Sequence, residues 1–500
     1  MGGVAGGARR AEEARGIWQD AAGPESGSGL RAGGSVPAGA RHACGLRGTA
    51  LPFTLLTRGD SVHPPRTGAT PLPLPSRRIV PVPSVVFLNR YYAPDVAATG
   101  QILADLAEDL AAQGWDTTVI TGRTRYEGEG EALPRTEMRR GVRVLRVWTA
   151  TLRRSPMLGR VLACATFLLS TFPALWRVPR GSVVVAMTDP PFLLVPVLLM
   201  ARLRGFQVAA WVQDVYPQLA VALGVLRPHS VLSRLLHDVA RGTYRRCDVV
   251  ITLAPAMSRV MTGMGVAPNR VVHVHNWADA GSIRPVPLAQ NPFVREHGLA
   301  SRFVVLYSGT AGRAHTFDAV VAAVRELSSD PQILFLFVGG GAQMPRLRSE
   351  VERCGASHAV RFLPYQPREA LAASMSSGDV ALVTEKPSTA GLLLPSKTYG
   401  AMASGRPILY VGSEDSDVAK LVWEHECGIV VRHDDPAGIV RAVRTLKADP
   451  ELRERMGRAG RTAAEVLYDR RHATRRYGAV LDRLAVGSAP AAHEYLAEGA

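Results

Sequence analysis

The 500-residue sequence has little of what holds small or metal-stapled scaffolds together. Cys44, Cys164, Cys247, Cys354 and Cys427 are odd in number, scattered and never in a C-x-x-C pair. That argues against a disulfide framework or a zinc site and favours a reducing cytosol. Zinc fingers, basic heptads and aromatic-rich RNA motifs are also missing, so nucleic acid is not expected as a partner. The apolar stretch "VLACATFLLSTFPALW" (161–176) has sixteen residues, short of the roughly 18 to 20 of a spanning helix. Lysine is nearly absent, standing only at Lys386, Lys397, Lys420 and Lys447. The net charge of +16 is therefore carried by arginine, and with abundant Ala, Gly, Pro and Val this bias points to a GC-rich genome.

What is present reads as a globular chain. A hydrophobic fraction of 47% and a charged fraction of 20% suit a sizeable core, and the length calls for two or more domains. The charge is uneven: twelve Arg against four Glu between Arg123 and Arg180 leave a net +8 there. Such a patch attracts anions, an acidic lipid surface or a pyrophosphate among them. Residues 1–78 are Gly/Ala/Pro/Arg-rich, as in "MGGVAGGARRAEEARG" and "PPRTGATPLPLPSRR", and lack both periodicity and the apolar core of a signal peptide. They are expected to be disordered: a mis-assigned start, with the functional chain beginning near Val80, or a flexible tail.

From Val80 onward, short Val/Ile/Leu runs alternate with helix-length segments. "VVFLN" (85–89), "TTVIT" (117–121), "VRVLRVW" (142–148), "VVVAM" (183–187), "VAAWVQD" (208–214) and "VVITLA" (249–254) form one series. "VVLYSG" (304–309), "ILFLFVGG" (333–340), "VRFLP" (360–364), "VALVTE" (380–385), "PILYVG" (407–412) and "GIVVR" (428–432) form a second. Continuous apolar runs separated by helices predict parallel strands buried on both faces. Two series predict two doubly wound α/β domains joined near "HVHNWADAG" (273–281), with ligands at the carboxyl ends of the strands in a cleft between them. His273, His275 and Asn276 fit a hinge better than a metal site, which needs more ligands. Arg153, Arg154, Arg160, Arg177 and Arg180 flank 161–176. A buried core helix and an interfacial element dipping into an anionic leaflet both fit that stretch; the arginines favour the second.

Three loops carry candidate chemistry. "NRYYAPDVAATGQILADLAEDLAAQG" (89–114) leads from a strand into a helix with an Ile102, Leu103, Leu106, Leu110 stripe and Asp105, Glu108 and Asp109 opposite. Gly100 is the only glycine before that stripe, so no G-x-G-x-x-G dinucleotide fingerprint exists, although the helix start suits an anionic group. "LYSGTAGRAHTFDAVVAAV" (306–324) repeats the strand, loop, helix order, its helix buried along Phe317, Val320, Val321 and Val324. There Gly309 and Gly312 let backbone N–H groups approach a ligand, Arg313 offers a bidentate phosphate fork and His315 stands at the helix mouth. "LLLPSKTYGAMASGRPI" (392–408) predicts a helix with Pro395 at its first position and Gly405 at its end. Ser396, Lys397 and the backbone around Leu393 and Leu394 would grip phosphate oxygens, completing a diphosphate clamp with the Gly309 loop.

In layout the sequence resembles the GT-B glycosyltransferases, two facing Rossmann-like domains, and within them the retaining nucleotide-sugar transferases of family 4. "YSGTAGRAH", "FVGGG", "LLLPSKTYGAMASGRPI", "VQDVYPQLA" (212–220) and "HNWAD" (275–279) look most like its branch in bacterial O-antigen, capsule and exopolysaccharide synthesis, over roughly 82–485. The resemblance implies an acceptor domain (79–277), a nucleotide-sugar domain (278–468), a terminal helix crossing back (469–486) and a tail (487–500). It implies no bound metal, because cations and helix dipoles neutralise the leaving diphosphate. The match has gaps. The family's carboxylate pair, eight positions apart, falls on Leu392 and Gly400, and its phosphate-loop Arg and Lys fall on Thr310 and His315, with Arg313 as a replacement. Glu385 is then a candidate sugar or ribose contact. Where many members carry a histidine beside the reaction centre, this chain has Gln213 and Asp214; Asp214 either serves the acceptor and transition state or caps a neighbouring helix. The resulting expectation is a cytoplasmic transferase, peripheral on the inner face of the plasma membrane. It would move a sugar from a nucleotide diphosphate-sugar, UDP favoured, to a polyprenyl-diphosphate-linked glycan. A GT-B nucleotide-sugar 2-epimerase and a catalytically degenerate scaffold are the alternatives.

Overall fold

The computed structural model describes residues 82–95, 97–125, 133–150 and 156–487, so the expectations for 1–78 and for Arg153 and Arg154 lie outside the described residues. The first sheet is built from β1 (Ser84–Leu88), β2 (Asp116–Gly122), β3 (Thr136–Arg139), β4 (Val142–Val147), β5 (Val183–Met187), β6 (Gln207–Val212), β7 (Val249–Thr252) and β8 (Val271–His273). Its order is β3-β4-β2-β1-β5-β6-β7-β8, parallel apart from β3 against β4. Around it lie α1 (Ala98–Ala112), α2 (Pro156–Trp176), α3 (Leu194–Arg204), α4 (Val231–Tyr244) and α5 (Pro255–Gly263). The second sheet, β9 (Phe303–Ser308), β10 (Ile333–Val338), β11 (Val360–Leu363), β12 (Val380–Thr384), β13 (Ile408–Gly412) and β14 (Gly428–Arg432), has the order β11-β10-β9-β12-β13-β14. Its helices are α6 (Asp318–Leu327), α7 (Met344–Arg353), α8 (Lys397–Ala403), α9 (Asp417–Glu424), α10 (Pro436–Ala448) and α11 (Pro450–Val466), followed by α12 (Arg470–Ala485).

The apolar runs become central strands for the expected reason. All five residues of β5 and all six of β10 are buried, because helices cover both faces of a parallel sheet. The edge strand β3, "TEMR", is the exception: exposed and half-buried residues alternate along it, and no apolar run announces it. In both sheets the chain order reverses beside the first strand, between β1 and β5 and between β9 and β12. Those reversals open a crevice at the carboxyl ends, where a doubly wound sheet binds its ligand.

One expectation fails on α1. Ile102, Leu103, Leu106 and Leu110 are buried as predicted, but Asp105 and Glu108 on the polar side are buried too. Asp105 accepts from Arg368 at 2.6 Å, from Arg470 at 2.8 Å and from Trp277 at 3.4 Å, while Arg140 pairs with Glu108 at 3.0 Å. The face is polar because arginines cover it, Arg368 and Arg470 from the second half of the chain and Arg140 from the first, not because water does. α12 crosses to the first sheet, where Tyr477 packs on Trp211 and Trp277, and Val480, Leu481 and Leu484 join that core.

α2 is neither spanning nor fully buried. Ala163, Phe167 and Leu175 point inward while Val161, Leu169 and Trp176 stand in the open. Among the described residues no helix is long and apolar enough to cross a membrane.

Candidate active site

The second crevice is lined by the loops after β9 and β12 and by α8. Gly309 (φ +119°) turns the chain sharply after β9. The glycines after β10 then let the two loops interlock: a Cβ on Gly339 would fall 2.4 Å from the Gly309 carbonyl oxygen, and one on Gly341 would fall 2.5 Å from that of Ala311. Thr310 is held by its hydroxyl against Tyr365, 2.8 Å away. Gly312 and Arg313 follow, with the Arg313 side chain exposed at the rim.

Lys397 enters this crevice from α8. Its Nζ lies 3.7 Å from the centre of the Tyr307 ring, donates to the Tyr307 hydroxyl and to the Thr310 carbonyl at 3.2 Å, and faces His315 Nε2 at 3.5 Å. Burial pushes its pKa well down. Among the described residues it forms no ion pair, and the groups around its nitrogen are all neutral. His315 lies two residues ahead of Phe317, the residue flanking α6, and its ring turns inward, 9% exposed, with Nδ1 at 2.6 Å from the Thr384 carbonyl. That carbonyl can only accept, so Nδ1 carries the proton and Nε2 offers its lone pair toward Lys397. Burial and the neighbouring lysine pull its pKa down to about 3, which keeps the ring neutral.

α8 itself begins later than predicted. Lys397 is its first residue and Ser396 its flanking residue, while Pro395 lies outside and accepts a tight-turn bond from Thr398 N–H at 3.1 Å. The Ser396 hydroxyl makes no capping bond. Gly400 is buried on α8, and a Cβ there would come within 2.5 Å of Met375 Cε. A side chain at this position would have to push aside the flexible end of that methionine. Glu385 lies at the end of β12, 2% exposed, accepting from the Tyr410 hydroxyl at 2.6 Å, which in turn accepts from Ser416 at 2.7 Å. Burial, against the pull of that Tyr410 bond, raises its pKa to about 7.

The first crevice faces this site. Thr188, after β5, accepts from both Gln213 N–H (3.1 Å) and Asp214 N–H (3.0 Å), tying the ends of β5 and β6 together. Gln213 turns to the linker, its amide oxygen accepting from Asn276 at 3.3 Å. Asp214 is half-buried and bridges to Leu393, and Val215 N–H donates to the Leu392 carbonyl at 2.8 Å. Leu392 and Leu394 pack against the first core, so the loop that carries Lys397 is seated on the strand end that carries Asp214. Burial and the adjacent Asp189 raise the Asp214 carboxyl to about 7. Asp189, in "TDPP", is itself raised to about 6 by burial, with Arg90 opposing, and its carbonyl accepts from Arg90 N–H at 2.8 Å. Gly100 lies apart from this cluster in the first turn of α1, where a Cβ would press on the Tyr91 backbone at 3.1 Å.

The structure thus brings Gly309, Thr310, His315, Ser396 and Lys397 together, and sets Asp214 against Leu393. Tyr307 and Asp189 belong to the two crevices and escape sequence reasoning. Tyr307 reads as one more apolar strand residue, and Asp189 reads as a break in an apolar run.

Two facing doubly wound sheets with a cationic crevice at the switch point of the second define the class of GT-B glycosyltransferases. The description "Glycosyl transferase 4-like domain" fits residues 97–277 and "Glycosyl transferases group 1" fits residues 291–463. The chain belongs to this glycosyltransferase family, the family-4 group of the GT-B fold. WbjE, a glycosyltransferase of Pseudomonas aeruginosa, is 28% identical over 269 residues, 53% of this chain and 66% of its own length. WcaI, a colanic acid biosynthesis glycosyl transferase of Escherichia coli K12, is 27% identical over 330 residues, 63% of this chain and 79% of its own. Sucrose-phosphate synthase of Thermosynechococcus elongatus superposes with a TM-score of 0.66 at 18% identity, over 81% of this chain and all of the other. Anabaena HepE in complex with UDP-glucose superposes with 0.62 at 15%, over 80% and 99%. At these identities the two structures share the fold.

Proposed function

We propose that the protein is a retaining glycosyltransferase of surface polysaccharide synthesis, moving a sugar from a UDP-sugar to a polyprenyl-diphosphate-linked glycan at the inner face of the plasma membrane. One observation carries the reading: a half-buried lysine, Lys397, whose amine has neutral partners only among the described residues, at the switch point of the second sheet. A diphosphate there supplies the missing counter-charge, and its negative charge restores the protonated form of the lysine that burial opposes. The backbone N–H groups after Gly309 and the Arg313 fork, swung in from the rim, complete the clamp. Cations and amides then do the neutralising, and the reading calls for no metal.

Across the cleft, Asp214 and Asp189 face the donor loop. A carboxyl that titrates near neutrality can hold an acceptor hydroxyl and steady the positive charge that develops on the sugar as the diphosphate leaves. Attack on the same face, with a departing phosphate oxygen taking the hydroxyl proton, retains configuration. Positioning and electrostatics supply most of the rate. The colanic acid biosynthesis of WcaI and the UDP-glucose bound to HepE support a surface-polysaccharide setting and a UDP donor.

The test mixes protein starting at Val80 with UDP- and GDP-sugars and a bacterial polyprenyl-linked glycan extract, and follows nucleotide release together with sugar arriving on lipid. UDP release that depends on the lipid is the expected result. Release of UDP-bound sugar isomers without transfer, or no turnover with any donor, would overturn the reading.

A further inference from the structure

The exposed apolar surface of the first domain is not spread at random. On α2 the open stripe is Leu162, Ala165, Leu169, Pro173 and Trp176, at helical spacing and without a polar member. On α3 it is Val195, Leu199 and Leu203, again one stripe. α4 adds Leu232, Leu235 and Val239. α2 packs on α3 and α3 on α4, and Arg204 stacks on Trp176 at 5.3 Å, so the three stripes adjoin. Leu169 is 66% exposed, Leu203 57% and Leu235 58%, far more than the edge of a core requires.

The rim of this face is cationic. Arg177, Arg180, Arg202, Arg234 and Arg245 are exposed around it, and Asp238 is the one carboxylate in the three helices. We infer that α2, α3 and α4 together form a docking face for an anionic lipid leaflet, with the leucines in the acyl boundary, the arginines at the headgroups and Trp176 at the level between them. A second copy of the chain fits poorly, because a two-fold contact through one face sets arginine rim against arginine rim. The inference deepens the transferase reading and rests on it for the lipid-linked acceptor.

The test is co-sedimentation of the full chain with vesicles of phosphatidylcholine alone and of phosphatidylcholine mixed equally with phosphatidylglycerol. Leu169→Glu, Leu203→Glu and Leu235→Glu are compared with the unaltered chain. All three side chains are exposed, so folding is checked by thermal melt and UDP binding, which should not change. The expected result is binding to the anionic vesicles that falls about tenfold with each of the three substitutions and falls again on the neutral vesicles. Equal binding by Leu203→Glu and Leu235→Glu would overturn the three-helix face and leave α2 alone. Loss of a concentration-dependent dimer, with no vesicle binding by any form, would assign the face to a second copy. Vesicle binding as expected but no sugar transfer would uphold the face and count against the transferase reading.

Discussion

Lys397, His315 and Tyr307 form one unit: a cation over a ring, beside an imidazole whose free nitrogen faces it. Among the described residues no carboxylate pairs with Lys397, as the proposed diphosphate site requires. Across the cleft, the Asp214 carboxyl is protonated below about pH 7 and ionised above it. If the ionised form holds the acceptor, kcat/KM should rise with pH through that range, and Asp214→Asn should lower the rate and flatten the rise. Glu385 gives a stability test with a definite sign. Its pKa stands near 4.5 in the unfolded chain and about 7 when folded, so the folded state keeps a proton that the unfolded state loses between those values. Stability therefore falls as pH rises across that window. Glu385→Gln, which still accepts from Tyr410, should raise the melting temperature at about pH 8 and leave it unchanged at about pH 4. An equal gain at both would show that the carboxyl is not held protonated.

At the scale of elements, α8 shows how a helix can lose a family residue and keep its place. The flexible end of Met375 lies 2.5 Å from where a Cβ on Gly400 would fall. Gly400→Glu should cost about 1–3 kcal/mol in denaturant unfolding, and adding Met375→Ala should return part of it. Additive losses would refute the steric explanation. The strands were legible because burial on both faces writes itself as unbroken Val, Ile and Leu, and β5 coincides with its run. β3 was not, since an edge strand buries little and its side chains alternate. The start of α8 was misread because Pro395 suits a first helical position equally well as a residue just ahead of it. Gly309 could be found from its glycine loop and Lys397 from its place at a helix start, while Thr310 came only with the family resemblance. Tyr307 and Asp189 could not, because what they do depends on partners far along the chain: Lys397 sits ninety positions from Tyr307.

At the scale of the molecule, the two domains meet through more than a linker. Arg470 binds Asp105 and Asp109 on α1, Arg368 reaches the same Asp105, and the Leu392–Leu394 loop rests on the Asp214 strand end. These contacts set the proposed phosphate and acceptor sites beside each other. Because cations rather than a metal are assigned the diphosphate, chelation with EDTA should leave turnover unchanged, and a loss restored by magnesium would contradict that assignment. The central claim is that Lys397 is the counter-charge for a nucleotide diphosphate, and calorimetric titration of UDP into the unaltered chain and into Lys397→Ala tests it most directly. The account predicts saturable binding that weakens by about tenfold to a hundredfold in the variant, while the melting temperature does not fall. Equal affinity in both proteins would contradict it.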